Sequence, residues 1–215
     1  MNFEQKLDLI NLVSVSELKK GRPTYIFFGG LQGNMAVPMF EFKGISSQLG
    51  DVNKVYFRDL SQTWYHGIFK DIIKHLEDII KQVDTNSLIF CGNSMGGYAA
   101  LLFGHLFAAS KTIVFSAQTC IEYSKKVKTW GDSSFEAFIE KARKVKGAQT
   151  QYFDLAYIDF TEEVHLYFCG SNFNDKLHAR NIKGESVKAH NLDSGGHNAV
   201  TVLLHQERLI DILKE

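Results

Sequence analysis

Apolar residues gather into six short runs along the chain, at 25–28, 52–57, 87–91, 111–115, 164–169 and, more weakly, 186–191. Each is four to six residues long, rich in Val, Ile and Phe, and bounded by glycine or polar residues. Continuous runs of this length read as strands covered on both faces. Between them the period changes. Segment 68–83 sets Ile72, Ile73, Leu76, Ile79, Ile80 and Val83 on one helical face. Segment 97–108, dense in Ala, Leu and Phe, predicts a helix buried on most sides, and 199–213 predicts a closing helix carrying Val202, Leu203, Leu209, Ile210 and Leu213. Strands alternating with such helices predict an α/β protein with a mostly parallel central sheet, helices on both faces and right-handed crossovers. The rhythm breaks over 120–163, which is aromatic towards its end (Tyr152, Phe153, Tyr157, Phe160) and predicts one helix over 134–144. A connection this long reads as a short cap insertion beside a site.

Length and charge narrow the classes. A chain of 215 residues suits a single domain, 1–215, and its 45% apolar content with 17 phenylalanines supplies a deep core. Formal net charge is zero and the basic residues are scattered, which argues against nucleic acid as a partner. No apolar run reaches the roughly 18 residues of a membrane span, and Met1 to Lys20 lacks the apolar stretch of a secretory leader, so a cytoplasmic location is expected. Cys91, Cys120 and Cys169 are odd in number and widely spaced, which fits neither a disulfide framework nor a metal site.

The chemistry concentrates at Gly92-Asn93-Ser94-Met95-Gly96-Gly97, which follows one predicted strand and opens a predicted helix. A serine on so tight a strand-to-helix turn has its hydroxyl raised above the sheet, and glycines two residues either side let the turn close. The helix N-terminus beneath it offers N–H groups to a developing oxyanion. A serine that merely caps the helix would not need this glycine pattern. The base should lie in a loop after a later strand, and Asp193-Ser194-Gly195-Gly196-His197-Asn198 supplies His197 there. The other histidines, His66, His75, His105, His165, His178, His190 and His205, fall on predicted elements or in other loops. Asp175, in the polar loop after 164–169, is the candidate acid, although it could instead cap a helix starting near Lys176. The order Ser94, Asp175, His197 is that of a nucleophile-elbow triad. Met95 N–H is one candidate oxyanion donor. Leu31 N–H, from Gly29-Gly30-Leu31-Gln32-Gly33-Asn34, is the other, with Gln32 as its alternative.

On these residues the chain resembles the α/β-hydrolase superfamily from about Tyr25 to its C-terminus. The resemblance implies the α/β-hydrolase fold with an eight-strand-type sheet, an acyl-enzyme on Ser94 and no cofactor or metal. Two strings, Arg58-Asp59-Leu60-Ser61-Gln62-Thr63-Trp64-Tyr65 and Phe115-Ser116-Ala117-Gln118-Thr119, are also similar to a bacterial branch found alongside polysaccharide functions. The chain departs from the superfamily pattern in two places. The stretch before Tyr25 is short, so the opening antiparallel hairpin is expected to be truncated or missing, and Phe28-Gly29-Gly30 stands where a His-Gly opening is common. The expected reaction is hydrolysis of an ester or thioester on a small-molecule or carrier-linked acyl substrate. Gly30, Gln32, Asp59, Trp64 and Tyr65 are the candidate substrate-binding residues, since they follow strand C-termini. Acyl transfer by the same triad, including to a glycan, and a non-catalytic binding module on a hydrolase scaffold are the alternative readings.

Overall fold

A computed structural model describes residues 12–32, 38–122 and 135–215. The strand Val13–Val15 (β1) leads to Thr24–Phe28 (β2), a short helix Lys43–Ser46 (α1), Asn53–Phe57 (β3) and helix Phe69–Ile80 (α2). Strand Leu88–Asn93 (β4) runs into helix Met95–Leu106 (α3), and Lys111–Phe115 (β5) into the insertion with helix Glu136–Arg143 (α4). Strand Glu163–Cys169 (β6), helix Phe173–Asn181 (α5), strand Val187–Leu192 (β7), and helices Ala199–His205 (α6) and Leu209–Lys214 (α7) complete it.

Because side chains on a strand alternate faces, each buried strand must feed two cores. Ile26 and Phe28 of β2, Val55 and Phe57 of β3, Phe90 of β4 and Val114 of β5 join one cluster, with α2, α3 and α4 packed on that face. Phe27, Tyr56, Cys91, Ile113 and Phe115 point the other way, into a second cluster closed by Leu203 of α6 and by Leu209, Ile212 and Leu213 of α7. The sheet has seven strands in the order β1-β3-β2-β4-β5-β6-β7. All neighbours run parallel except β1, which pairs antiparallel with β3 through Val13 opposite Phe57. No helix among the described residues is long and apolar enough to cross a membrane.

The structure revises several boundaries. Among the described residues the antiparallel opening is a single three-residue strand and the sheet has seven strands, where an eight-strand type is implied. The closing helix is two helices, because the chain turns left-handed at Glu207 (φ 58°) between His205 and Leu209. Helix α5 starts at Phe173, and its cap is Asn172, whose side chain accepts from the N–H groups of Asn174 and Asp175. That leaves the Asp175 carboxylate clear of capping duty. Within 120–163, residues 123–134 lie outside the described set; the remainder contributes Ile139, Ala142, Phe153, Leu155 and Phe160 to the main core.

Candidate active site

Strand β4 delivers its chain to the C-terminal edge of the sheet and must turn at once into α3. A Cβ on Gly92 would stand 2.1 Å from the Gly96 carbonyl oxygen, and one on Gly96 would stand 2.1 Å from that of Phe28. Backbone meets backbone at both positions, so only glycine fits. Between them Ser94 has φ 53° and ψ −117°, a conformation that L-residues seldom hold. Its N–H donates to Phe115 O at 2.8 Å and its carbonyl accepts from Tyr98 N at 3.1 Å, which pins the turn to β5 and α3.

The side chain so raised meets the other two candidates. Ser94 Oγ lies 2.8 Å from His197 Nε2, and His197 Nδ1 lies 2.5 Å from Asp175 Oδ1. A carboxylate can only accept, so Nδ1 carries the imidazole proton and Nε2 turns its lone pair to the serine hydroxyl. Asp175 is 3% exposed, and Oδ2 has no hydrogen-bond partner among the described residues, so its pairing rests on the imidazole. Phe135, at the entrance to α4, sets its ring 5.6 Å from that of His197, which brings the insertion to the site. A small cavity of about 70 Å³, lined by Gln118, Asn172, His178 and the Asp175–His197 pair, lies behind the imidazole.

Met95 N–H is the first of α3 and has no partner within its helix. Gly29 and Gly30 leave the end of β2 against the elbow, since a Gly96 Cβ would strike the backbone of Phe28 and Gly29 and a Gly30 Cβ would meet Asn93 O. The Gln32 side-chain amide accepts from Met39 N at 2.7 Å and donates to Met39 O at 3.2 Å.

Three of the expected substrate contacts are buried. Asp59, Trp64 and Tyr65 are 1%, 0% and 0% exposed and offer a ligand no surface. Asp59 instead organises its own loop. Its carboxylate accepts from Ser61 N, Ser61 Oγ, Thr63 N, Thr63 Oγ1 and Tyr65 N at 2.5–3.2 Å. The loop turns left-handed at Gln62, Trp64 and Tyr65, and this sends the two aromatics inward.

Residues not singled out in the sequence also border the site. A cavity of about 500 Å³ is lined by Glu41, Phe42 and Ile45 on one side, Asn198 and Leu204 on the other, and Asn93 between. Asn93 and Asn198 are the chain neighbours of Ser94 and His197. Glu41, in the turn before α1, accepts from Gly30 N at 3.0 Å; burial raises its carboxyl pKa, and the bonds from Gly30 and Gln32 partly offset that. A lone acid inside an aromatic run was the available signal. Behind α3, His66 Nε2 lies 2.9 Å from Tyr98 Oη, which donates to Tyr152 O at 2.6 Å. Burial lowers the His66 pKa to about 4, against a smaller opposing pull from Asp59. No group of three or more His, Cys, Asp or Glu among the described residues is arranged to hold a metal ion.

No protein-family model matches the sequence, and no curated protein does. Solved structures do match the fold. The capsule O-acetyltransferase of Neisseria meningitidis serogroup A is 15% identical with a TM-score of 0.66, covering 96% of this chain and 93% of that one. A thermophilic carboxylesterase cloned from a metagenomic library is 13% identical with a TM-score of 0.60, covering 94% and 81%. The hyperthermophilic esterase of the archaeon Pyrobaculum calidifontis is 12% identical with a TM-score of 0.58, covering 98% and 86%. With its parallel sheet, its serine at the β4–α3 turn and these structural counterparts, the chain has the α/β-hydrolase fold.

Proposed function

We propose that the chain is a serine-dependent enzyme acting on esters or thioesters through an acyl-enzyme on Ser94. The observation that carries this is the unbroken hydrogen-bonded line from Asp175 Oδ1 through the imidazole of His197 to Ser94 Oγ, ending on a strained backbone at the sheet edge. In the first half-reaction His197 Nε2 takes the hydroxyl proton as Oγ bonds to the acyl carbon. The carbonyl oxygen becomes an oxyanion facing the Met95 and Leu31 N–H groups. The intermediate collapses, the bond to the leaving oxygen or sulfur breaks, and His197 returns the proton to that atom. In the second half His197 takes a proton from water as the water oxygen bonds to the acyl carbon, the Oγ–acyl bond breaks, and His197 returns the proton to Ser94 Oγ as the carboxylic acid leaves. Asp175 holds the tautomer and stabilises the imidazolium.

A second reading differs only in the second nucleophile: an alcohol in place of water makes the enzyme an acyltransferase. The likeness to a capsule O-acetyltransferase of nearly the same extent favours keeping it. The cavity of about 500 Å³ beside Asn93 and Asn198 has room for an acyl group or acceptor, within the range of about 300–1,000 Å³ usual for small-molecule sites.

The test is labelling by a fluorophosphonate of the wild type, Ser94→Ala and His197→Ala, with the adduct located by peptide mass spectrometry. An adduct on Ser94 that requires His197 supports the reading. Folded wild-type protein that takes no label from acyl or phosphonate reagents points instead to a binding module. The ratio of acid to new ester formed from p-nitrophenyl acetate with an alcohol present separates hydrolysis from transfer.

A further inference from the structure

We propose that Tyr65 and Glu41 are positioning residues for the oxyanion: they grip opposite ends of the Gly29–Gly30 peptide and so aim the Leu31 N–H. This rests on the reading of Ser94 as nucleophile and Leu31 as oxyanion donor. The carbonyl of Gly29 and the N–H of Gly30 belong to one planar unit. Tyr65 Oη donates to Gly29 O at 2.9 Å, and Glu41 Oε2 accepts from Gly30 N at 3.0 Å. A Gly-Gly pair is otherwise the freest backbone a chain can have. Held at both ends, the plane cannot rotate, and the torsions left before the Leu31 amide are φ and ψ of Gly30. A third contact restricts them: a Cβ on Gly30 would meet Asn93 O at 2.9 Å and both Glu41 carboxylate oxygens at 3.5 Å, so Gly30 lies against the residue preceding Ser94.

Both grips are themselves held. Tyr65 is fully buried, its ring edge-on to Phe28 at 5.4 Å and its N–H on Asp59 Oδ2 at 2.9 Å. The left-handed turns at Gln62, Trp64 and Tyr65 fold this tyrosine back under β2, and such strain persists only where surroundings over-determine it. Glu41 arrives from the opposite side, beside the cavity that α1 and α6 share. A negative charge near a developing oxyanion is unfavourable, so the role assigned to Glu41 is that of an acceptor. A neutral acceptor of the same shape should serve.

The experiment compares full-length Tyr65→Phe, Glu41→Leu and Glu41→Gln with the wild type. The readouts are p-nitrophenyl acetate kinetics, inhibition by an alkyl trifluoromethyl ketone, and fluorophosphonate labelling, with thermal melts to establish folding. The ketone adds to serine to form a hemiketal whose oxyanion sits where the ester's would. Tyr65→Phe and Glu41→Leu should lower kcat about 10- to 100-fold with KM nearly unchanged, and should weaken the ketone by the factor lost in kcat/KM. Glu41→Gln should recover most of the loss seen for Glu41→Leu. Folded variants with wild-type kcat, or with a lowered kcat and undiminished ketone affinity, overturn the proposal. So does a Glu41→Gln variant as impaired as Glu41→Leu, and if Tyr65→Phe does not fold, the two Glu41 variants decide it. A wild type that neither turns over nor labels at Ser94 is a different failure, that of the underlying function.

Discussion

The backbone of Ser94 makes a stability prediction that is independent of any substrate. At φ 53° and ψ −117° the Cβ of a non-glycine residue crowds its own backbone, at a cost of about 1–3 kcal/mol. Ser94→Ala and Ser94→Gly both delete Oγ and its bond to His197, so their difference isolates the Cβ. Glycine relieves the strain but loosens the unfolded chain, which costs about 0.4–1 kcal/mol. The balance favours Ser94→Gly over Ser94→Ala by about 1 kcal/mol, the reverse of the usual order for these residues. For a domain of this size that is roughly 2–4 °C in Tm. Differential scanning calorimetry of the two variants, with urea unfolding as a second measure, reads the difference directly. Neither variant has a nucleophile, so no trade of activity complicates the comparison. If Ser94→Gly melts at or below Ser94→Ala, the elbow is not strained and the geometric case for it fails.

Three further outcomes follow from the structure. Gly96→Ala should destabilise by about 3 kcal/mol or more, because its Cβ would lie 2.1 Å from the Phe28 carbonyl; Gly44→Ala, with nothing within 4 Å, should be neutral or slightly stabilising, as thermal melts would read. His66 folds neutral with its pKa held at about 4, below the 6.5 of a free imidazole, so the unfolded chain binds the proton first and stability falls as pH drops from about 6.5 towards 4. Between pH 8 and pH 5 this amounts to about 2 kcal/mol that His66→Gln should not lose, and equal pH dependence in urea titrations of both proteins would refute it. Asp175→Asn should keep the fold but free His197 to present the wrong tautomer, lowering kcat on p-nitrophenyl acetate by about 10⁴-fold with little change in KM.

The parts of this molecule visible in the sequence are those fixed by local demands. Strands β2 to β6 are short apolar runs that stop at glycine or polar residues, and the elbow carries its own steric signature in Gly92 and Gly96. Chain order then points to Asp175 and His197, which the structure brings into hydrogen-bonding reach of each other and of Ser94. What stayed hidden depends on direction in space. Position after a strand C-terminus located Asp59, Trp64 and Tyr65 near the site, but three left-handed residues turn that loop inward, and nothing in Gln62-Thr63-Trp64-Tyr65 announces them. Glu41 sits in a stretch with no strand period, and its importance appears only when Gly30 is seen across from it. The break between α6 and α7 falls at Gln206-Glu207 without glycine or proline, inside an apolar pattern that continues on both sides.

The distribution of strain argues that the C-terminal edge of the sheet is built for a task. Of the eight non-glycine residues with positive φ among those described, Gln62, Trp64 and Tyr65 follow β3, Ser94 follows β4, and Ser116 follows β5. These strands lie in one parallel block around β2, so all five residues stand at the same edge. Each cluster passes a contact to a component of the site. Tyr65 holds Gly29 from below, and Ser94 carries the hydroxyl itself. Ser116 accepts from Ala199 N at 3.3 Å, fixing the start of α6 two residues beyond His197. The placement of these residues on three strands, each supporting a different part of the Ser94 surroundings, fits the proposed reading of Ser94 as a preorganised nucleophile.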